Sequence, residues 1–140
     1  MNNTEGVTLA QARSFLAERR HCEPAQVTLL GEGAWSRCFG FQQDGHDLVI
    51  RFGNHVDDFE KDQVAHRYAA PALPIPKVIE IGEAFGGYYA ISTRVEGVVL
   101  EQVSAEEWRA LVPAVVAALE ALRTADISDT TGFGGAQGFQ

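Results

Sequence analysis

The chain has 140 residues, 46% of them hydrophobic, which is the length of one domain with enough apolar side chains for a real core. Its formal charge of -8, with no Lys/Arg run, argues against nucleic acid or an anionic membrane as a partner and suits a cationic small molecule. Cys22 and Cys38 stand apart from each other and from any metal-ligand pattern, so free thiols and no metal site are expected; the start lacks the features of a signal peptide and no apolar run is long enough to span a membrane, which makes the cytoplasm the default.

Thr8 and Gln11 form a capping-box pattern ahead of Ala12, Phe15 and Leu16 at helical spacing, so a first helix is predicted from Thr8 to Arg20. The pattern then changes to strands: Val27 to Leu30, Arg37 to Gln42 and Asp47 to Phe52, the last two joined by a tight Asp44-Gly45 turn into an antiparallel meander. Val56 to Ala70 carries Phe59, Val64, Ala65 and Tyr68 on one side and charges on another, predicting a helix that stops before Pro71. Two more strands follow, Lys77 to Ile81 and Tyr88 to Thr93, around a Gly86-Gly87 turn, and Glu96-Gly97 reads as a hinge. Beyond it, Ser104 and Glu107 form another capping box before an apolar stripe of Trp108, Leu111, Val112, Val115, Leu119 and Leu122, which Pro113 should kink or split. The glycine-rich tail from Thr130 is expected to be mobile.

Between the first two strands lies Gly31-Glu32-Gly33-Ala34-Trp35-Ser36, where glycines let the backbone approach a bound group and present N–H donors to phosphates. Alone this is a weak signal, because hairpin turns use glycine for conformational reasons. In the third strand, however, Leu48, Ile50 and Phe52 share one face by the period of two, placing Val49 and Arg51 on the other. A guanidinium on the strand after a glycine loop can reach α- and β-phosphates through bidentate charge-assisted bonds. Glu60 or Asp62 on the following helix can hold it in position, but not both, since positions two apart on a helix diverge.

The order of these elements, with Leu73-Pro74-Ile75-Pro76-Lys77-Val78 as its most distinctive run, resembles the N-terminal lobe of the aminoglycoside phosphotransferases, a protein-kinase-like family. The stretches KDQVAHRYAAPALPIPKVIEIGE and ADISDTTGFG are most similar to the hygromycin branch. The resemblance implies an α+β fold: a five-stranded antiparallel sheet with a packed helix and flanking N- and C-terminal helices. It implies a nucleotide-binding lobe over residues 1–97 and, over 98–140, a helix and tail that begin a missing C-lobe. It further implies ATP or GTP with Mg²⁺, the base edge on the backbone of Thr93 to Val95 and the phosphates under Gly31, Gly33 and Ser36. Arg51 would take the phosphate-contacting position, with Glu60 or Asp62 as its partner.

Phosphoryl transfer also needs an acid to orient the acceptor hydroxyl and ligands for Mg²⁺, which the family places after the hinge. No H-x-D-x-x-x-x-N follows Gly97; His55-Val56-Asp57 only imitates its start, with Asp62 where Asn belongs, and Asp126 and Asp129 flank a loop where they could bind a cation, although aspartates at helix ends more often cap or face solvent. The chain is therefore expected to bind nucleotide but not to catalyse alone, and to self-associate through the surface a C-lobe would cover. The alternatives are a non-catalytic kinase-like binding or oligomerisation module, and a phosphotransferase completed by a separate C-lobe.

Overall fold

The computed structural model describes residues 6–33 and 36–131, so the tip of the glycine hairpin and all but the first two residues of the tail lie outside the described residues. Helix α1, Leu9–Arg20, begins where its capping box requires: Thr8 Oγ1 accepts from the Gln11 N–H (3.2 Å) and Gln11 Oε1 accepts from the Thr8 N–H (2.8 Å). Three strands follow, β1 (Thr28–Glu32), β2 (Ser36–Gln43) and β3 (His46–Gly53). Asp44 and Gly45 both take positive φ, 51° and 77°, the geometry that lets a two-residue turn match the twist of its strands. Strand β1 runs further than predicted and includes Gly31 and Glu32, because Glu32 and Arg37 face each other across the hairpin and bond through Arg37 Nε (2.7 Å) and Nη2 (2.5 Å).

Helix α2 spans Val56–Ala65 and gives way to a single 3-10 turn, His66–Tyr68, short of the predicted end at Ala70. There His66 Nδ1 donates to the Ile75 carbonyl (2.9 Å), and Pro71 pushes Ala70 out of helical geometry into a bridge with Leu73. Strands β4 (Val78–Ala84) and β5 (Gly87–Thr93) are joined by Phe85-Gly86, one residue earlier than predicted. Phe85 accepts a positive φ of 51° while its ring packs 5.8 Å from that of Phe15 and 5.6 Å from that of Phe52.

The five strands form one antiparallel sheet in the order β1-β2-β3-β5-β4, with β3 in the interior. On one face α1 contributes Ala12 and Leu16 to a core with Phe39, Ile50, Phe52 and Ile91. On the other, α2 packs Phe59 against Val78 and Ala90, at the β4–β5 end only. The remainder of that second face, over β2 and β3, is left open between α2 and the segment after β5.

Helix α3, Ala105–Arg123, starts at the Ser104–Glu107 capping box as predicted. Pro113 does not split it; proline lacks only the N–H that would have bonded the Arg109 carbonyl, and the helix continues on both sides. None of its side chains is buried: Trp108, Leu111, Val112, Leu119 and Leu122 all face outward, Leu119 at 60% exposure. Among the described residues no helix is long and apolar enough to cross a membrane.

Candidate functional site

The alternation in β3 sets the site. Leu48, Ile50 and Phe52 are buried on the α1 face, which turns Val49 and Arg51 toward the open face. Counting outward equally from the Asp44-Gly45 turn pairs Arg51 with Cys38 on β2, and the β3–β5 register places Ala90 on its other side. Arg51 is thus an interior-strand residue, unlike the charges that guard sheet edges.

Two residues of α2 hold its side chain. The guanidinium carbon lies 5.2 Å from the centroid of the buried Phe59 ring, and Nη2 donates to Asp62 Oδ2. Phe59 and Asp62 are three apart and share a helix face; Glu60 lies on a different face and is exposed. Asp62 is the acid that meets the arginine.

Arg51 and Asp62 border a cleft of about 480 Å³, within the range of small-molecule sites. Ile75 and Pro76, from the distinctive proline run, form one wall, Leu30 and Cys38 another, and the segment Thr93 to Gly97 closes the far end. In that segment the Thr93 N–H donates to the Lys77 carbonyl (3.0 Å), and Thr93 Oγ1 accepts the Lys77 N–H (3.0 Å). The Arg94 N–H donates to the Asp47 carbonyl (3.2 Å). None of these three bonds uses the Thr93 carbonyl or the Val95 N–H, an acceptor and a donor two residues apart in the segment that lines the cleft.

Ser36 lines a smaller adjoining hollow of about 320 Å³ that also includes Arg51 and Asp62, and its carbonyl accepts from the Gly33 N–H (2.9 Å) to close the hairpin. Gly31 is paired with Cys38 at a bulge in β1. The structure therefore gathers Arg51, Asp62, Thr93 and Val95 at the cleft and sets Ser36 in the adjoining hollow, whereas Gly31, Gly33 and Glu60 line neither cavity. Cys38, Val49 and Glu96 were not singled out from the sequence, although the period-two pattern and the turn-fixed register point to the first two. Burial pushes the Cys38 thiol above its ordinary pKa, opposed by the positive charge of Arg51 and Arg94.

No protein-family model matches the chain. It is 38% identical over 130 residues to the hygromycin-B 4-O-kinase of Escherichia coli, a match covering 91% of this chain and 38% of that protein. A crystal structure of the aminoglycoside phosphotransferase APH(4)-Ia superposes with a TM-score of 0.84 at 38% identity, over 94% of this chain and 45% of the other. The chain is thus similar, in sequence and in fold, to part of an aminoglycoside phosphotransferase. A thermostable APH(4)-Ia mutant crystallised as a ternary complex with AMP-PNP and hygromycin B matches with a TM-score of 0.80 at 37% identity, over 90% of this chain and 44% of that one. The chain thus spans less than half the length of these relatives. Its sheet, with α2 against one face, is the kinase-like arrangement that the order of sequence elements implied.

Proposed function

We propose that these residues form the nucleotide-binding lobe of an ATP-dependent O-phosphotransferase acting on a small molecule, of the aminoglycoside and hygromycin type. The observation that carries this reading is Arg51: a guanidinium at an interior position of the sheet, clamped by Phe59 and Asp62, lining the same cleft as the segment from Thr93 to Gly97. An adenine presents an amino donor beside a ring-nitrogen acceptor, which complements the Thr93 carbonyl and the Val95 N–H. Arg51 then meets the α- and β-phosphates with the donors Asp62 does not occupy. The complexes of the APH(4)-Ia mutants with AMP-PNP or ADP support the nucleotide.

Mg²⁺ arrives in this reading on the phosphates. Its protein ligands and the acceptor-orienting acid belong, in this reading, to the lobe that the family resemblance places after the Gly97 hinge. By themselves these residues bind nucleotide without transferring phosphate. The exposed stripe of α3 is the surface that meets the remainder of such an enzyme or, in the isolated chain, a second copy.

The test is calorimetric titration with a non-hydrolysable ATP analogue and Mg²⁺, alongside light scattering across micromolar to millimolar protein. Saturable one-site binding that depends on Arg51, with association that grows with concentration, is expected. Association without nucleotide binding would instead favour the rival reading, a non-catalytic oligomerisation module, which the exposed α3 stripe also fits.

A further inference from the structure

Resting on the nucleotide reading, we propose that Lys61 is a positioning residue for the terminal phosphate of a bound triphosphate. Arg51 and Asp62 border both the large cleft and the hollow of about 320 Å³, so the two cavities meet at the guanidinium. A nucleotide whose base lies at Thr93 to Val95 and whose inner phosphates lie on Arg51 runs onward into that hollow. Its lining brings together Ser36 from the start of β2 and Lys61 from α2, with the carboxylates of Asp58 and Asp62 on the same side of the helix.

The charges there are unequal in how firmly they are held. Asp62 is committed to Arg51. Lys61 Nζ stands 3.6 Å from Asp58 Oδ1, in a pair whose side chains are 46% and 59% exposed. An exposed pair one helical turn apart is weak and easily exchanged. A phosphate carrying two negative charges attracts the ammonium more strongly than a single solvated carboxylate does, and a lysine on a four-carbon stem can swing toward it as a point charge. The pairings thus divide the labour: Arg51 is fixed in place for the inner phosphates, whereas Lys61 is kept at the rim by a contact it can surrender to the last phosphate.

The experiment measures the affinities of AMP, ADP and a non-hydrolysable ATP analogue, each with Mg²⁺, for the unsubstituted chain and for Lys61→Ala, Lys61→Arg and Arg51→Ala. Lys61→Ala is expected to weaken the triphosphate about tenfold and to leave AMP and ADP within about twofold. Lys61→Arg should restore most of the loss, and Arg51→Ala should weaken ADP and the triphosphate together. Because Lys61 is exposed, its replacement should leave the melting temperature unchanged. Equal affinities for the Lys61→Ala variant and the unsubstituted chain, or an equal loss for all three nucleotides, would overturn the role of Lys61 while leaving the nucleotide site intact. Failure of the unsubstituted chain to bind any of the three would overturn the nucleotide reading and this role together.

Discussion

Arg51 lies over the ring of Phe59, guanidinium carbon to centroid 5.2 Å, while donating to Asp62 one helical turn further along α2. The ring and the carboxylate together restrain the guanidinium and occupy one of its donors, which leaves the others for a ligand. Replacing Arg51 with Ala is expected to weaken nucleotide binding by tenfold or more, since charge-assisted hydrogen bonds contribute about 1.5–3 kcal/mol. Asp62→Ala should cost less affinity, because the charge stays while its orientation is lost. The ion pair is a third to a half exposed, so melting of Asp62→Ala should report a stability loss below about 1 kcal/mol.

A second relationship tests how tightly the sheet is packed. A Cβ on Gly82 would lie 2.7 Å from Cε1 and Oη of Tyr89, a ring that is only 1% exposed and is held by its hydrogen bond to Glu80. Gly82→Ala is therefore expected to destabilise the fold by about 1–3 kcal/mol, read as a lower denaturation midpoint. An unchanged midpoint would mean that the ring is not held where the structure places it.

The same tyrosine gives a pH dependence. Burial, and then the neighbouring Glu80 carboxylate that accepts its hydroxyl proton, raise the Tyr89 pKa above the ordinary 10.0. Between 10.0 and the higher folded value, the folded chain keeps a proton that the unfolded chain has lost, so stability is full below about pH 10 and falls as pH rises through that window. Tyr89→Phe should flatten this alkaline decline and cost about 1 kcal/mol at neutral pH for the lost hydrogen bond. Denaturant titrations from pH 7 to 11 read both effects.

Much of this was legible in the sequence, for identifiable reasons. Capping boxes at Thr8 and Ser104 state where helices begin, and strict alternation through Leu48, Ile50 and Phe52 assigns Arg51 to the opposite face. Element ends were harder to read. The 3-10 turn after Ala65 depends on His66 reaching the Ile75 carbonyl, and the β4–β5 turn depends on Phe85 finding two aromatic rings, both of them contacts across the fold. Whether Glu60 or Asp62 meets Arg51 was open because the apolar side read from the sequence held both Phe59 and Val64, and only Phe59 buries, against Val78 and Ala90, while Val64 is 46% exposed. The hydrophobic stripe of α3 was visible in the sequence, but its exposure is a property of what packs around it.

Cys38 offers an internal reporter. It lines the cleft, whereas Cys22 is buried away from it with its Sγ against the Gln42 carbonyl (3.3 Å). Both thiols are raised above the ordinary 9.0 chiefly by burial, so alkylation should be slow for both at neutral pH and quicken as pH rises. Saturating nucleotide should slow alkylation of Cys38 several-fold and leave Cys22 unchanged, a contrast that peptide mass mapping resolves.

The central claim, a nucleotide laid from Thr93–Val95 to Arg51, is tested most directly by mapping backbone amide shifts on adding a non-hydrolysable ATP analogue with Mg²⁺. Saturable shifts at Val95, at Cys38 and at Arg51, absent in Arg51→Ala at the same nucleotide concentration, are the expected result. Shifts confined to the exposed face of α3, or none at Val95 and Arg51, would contradict it.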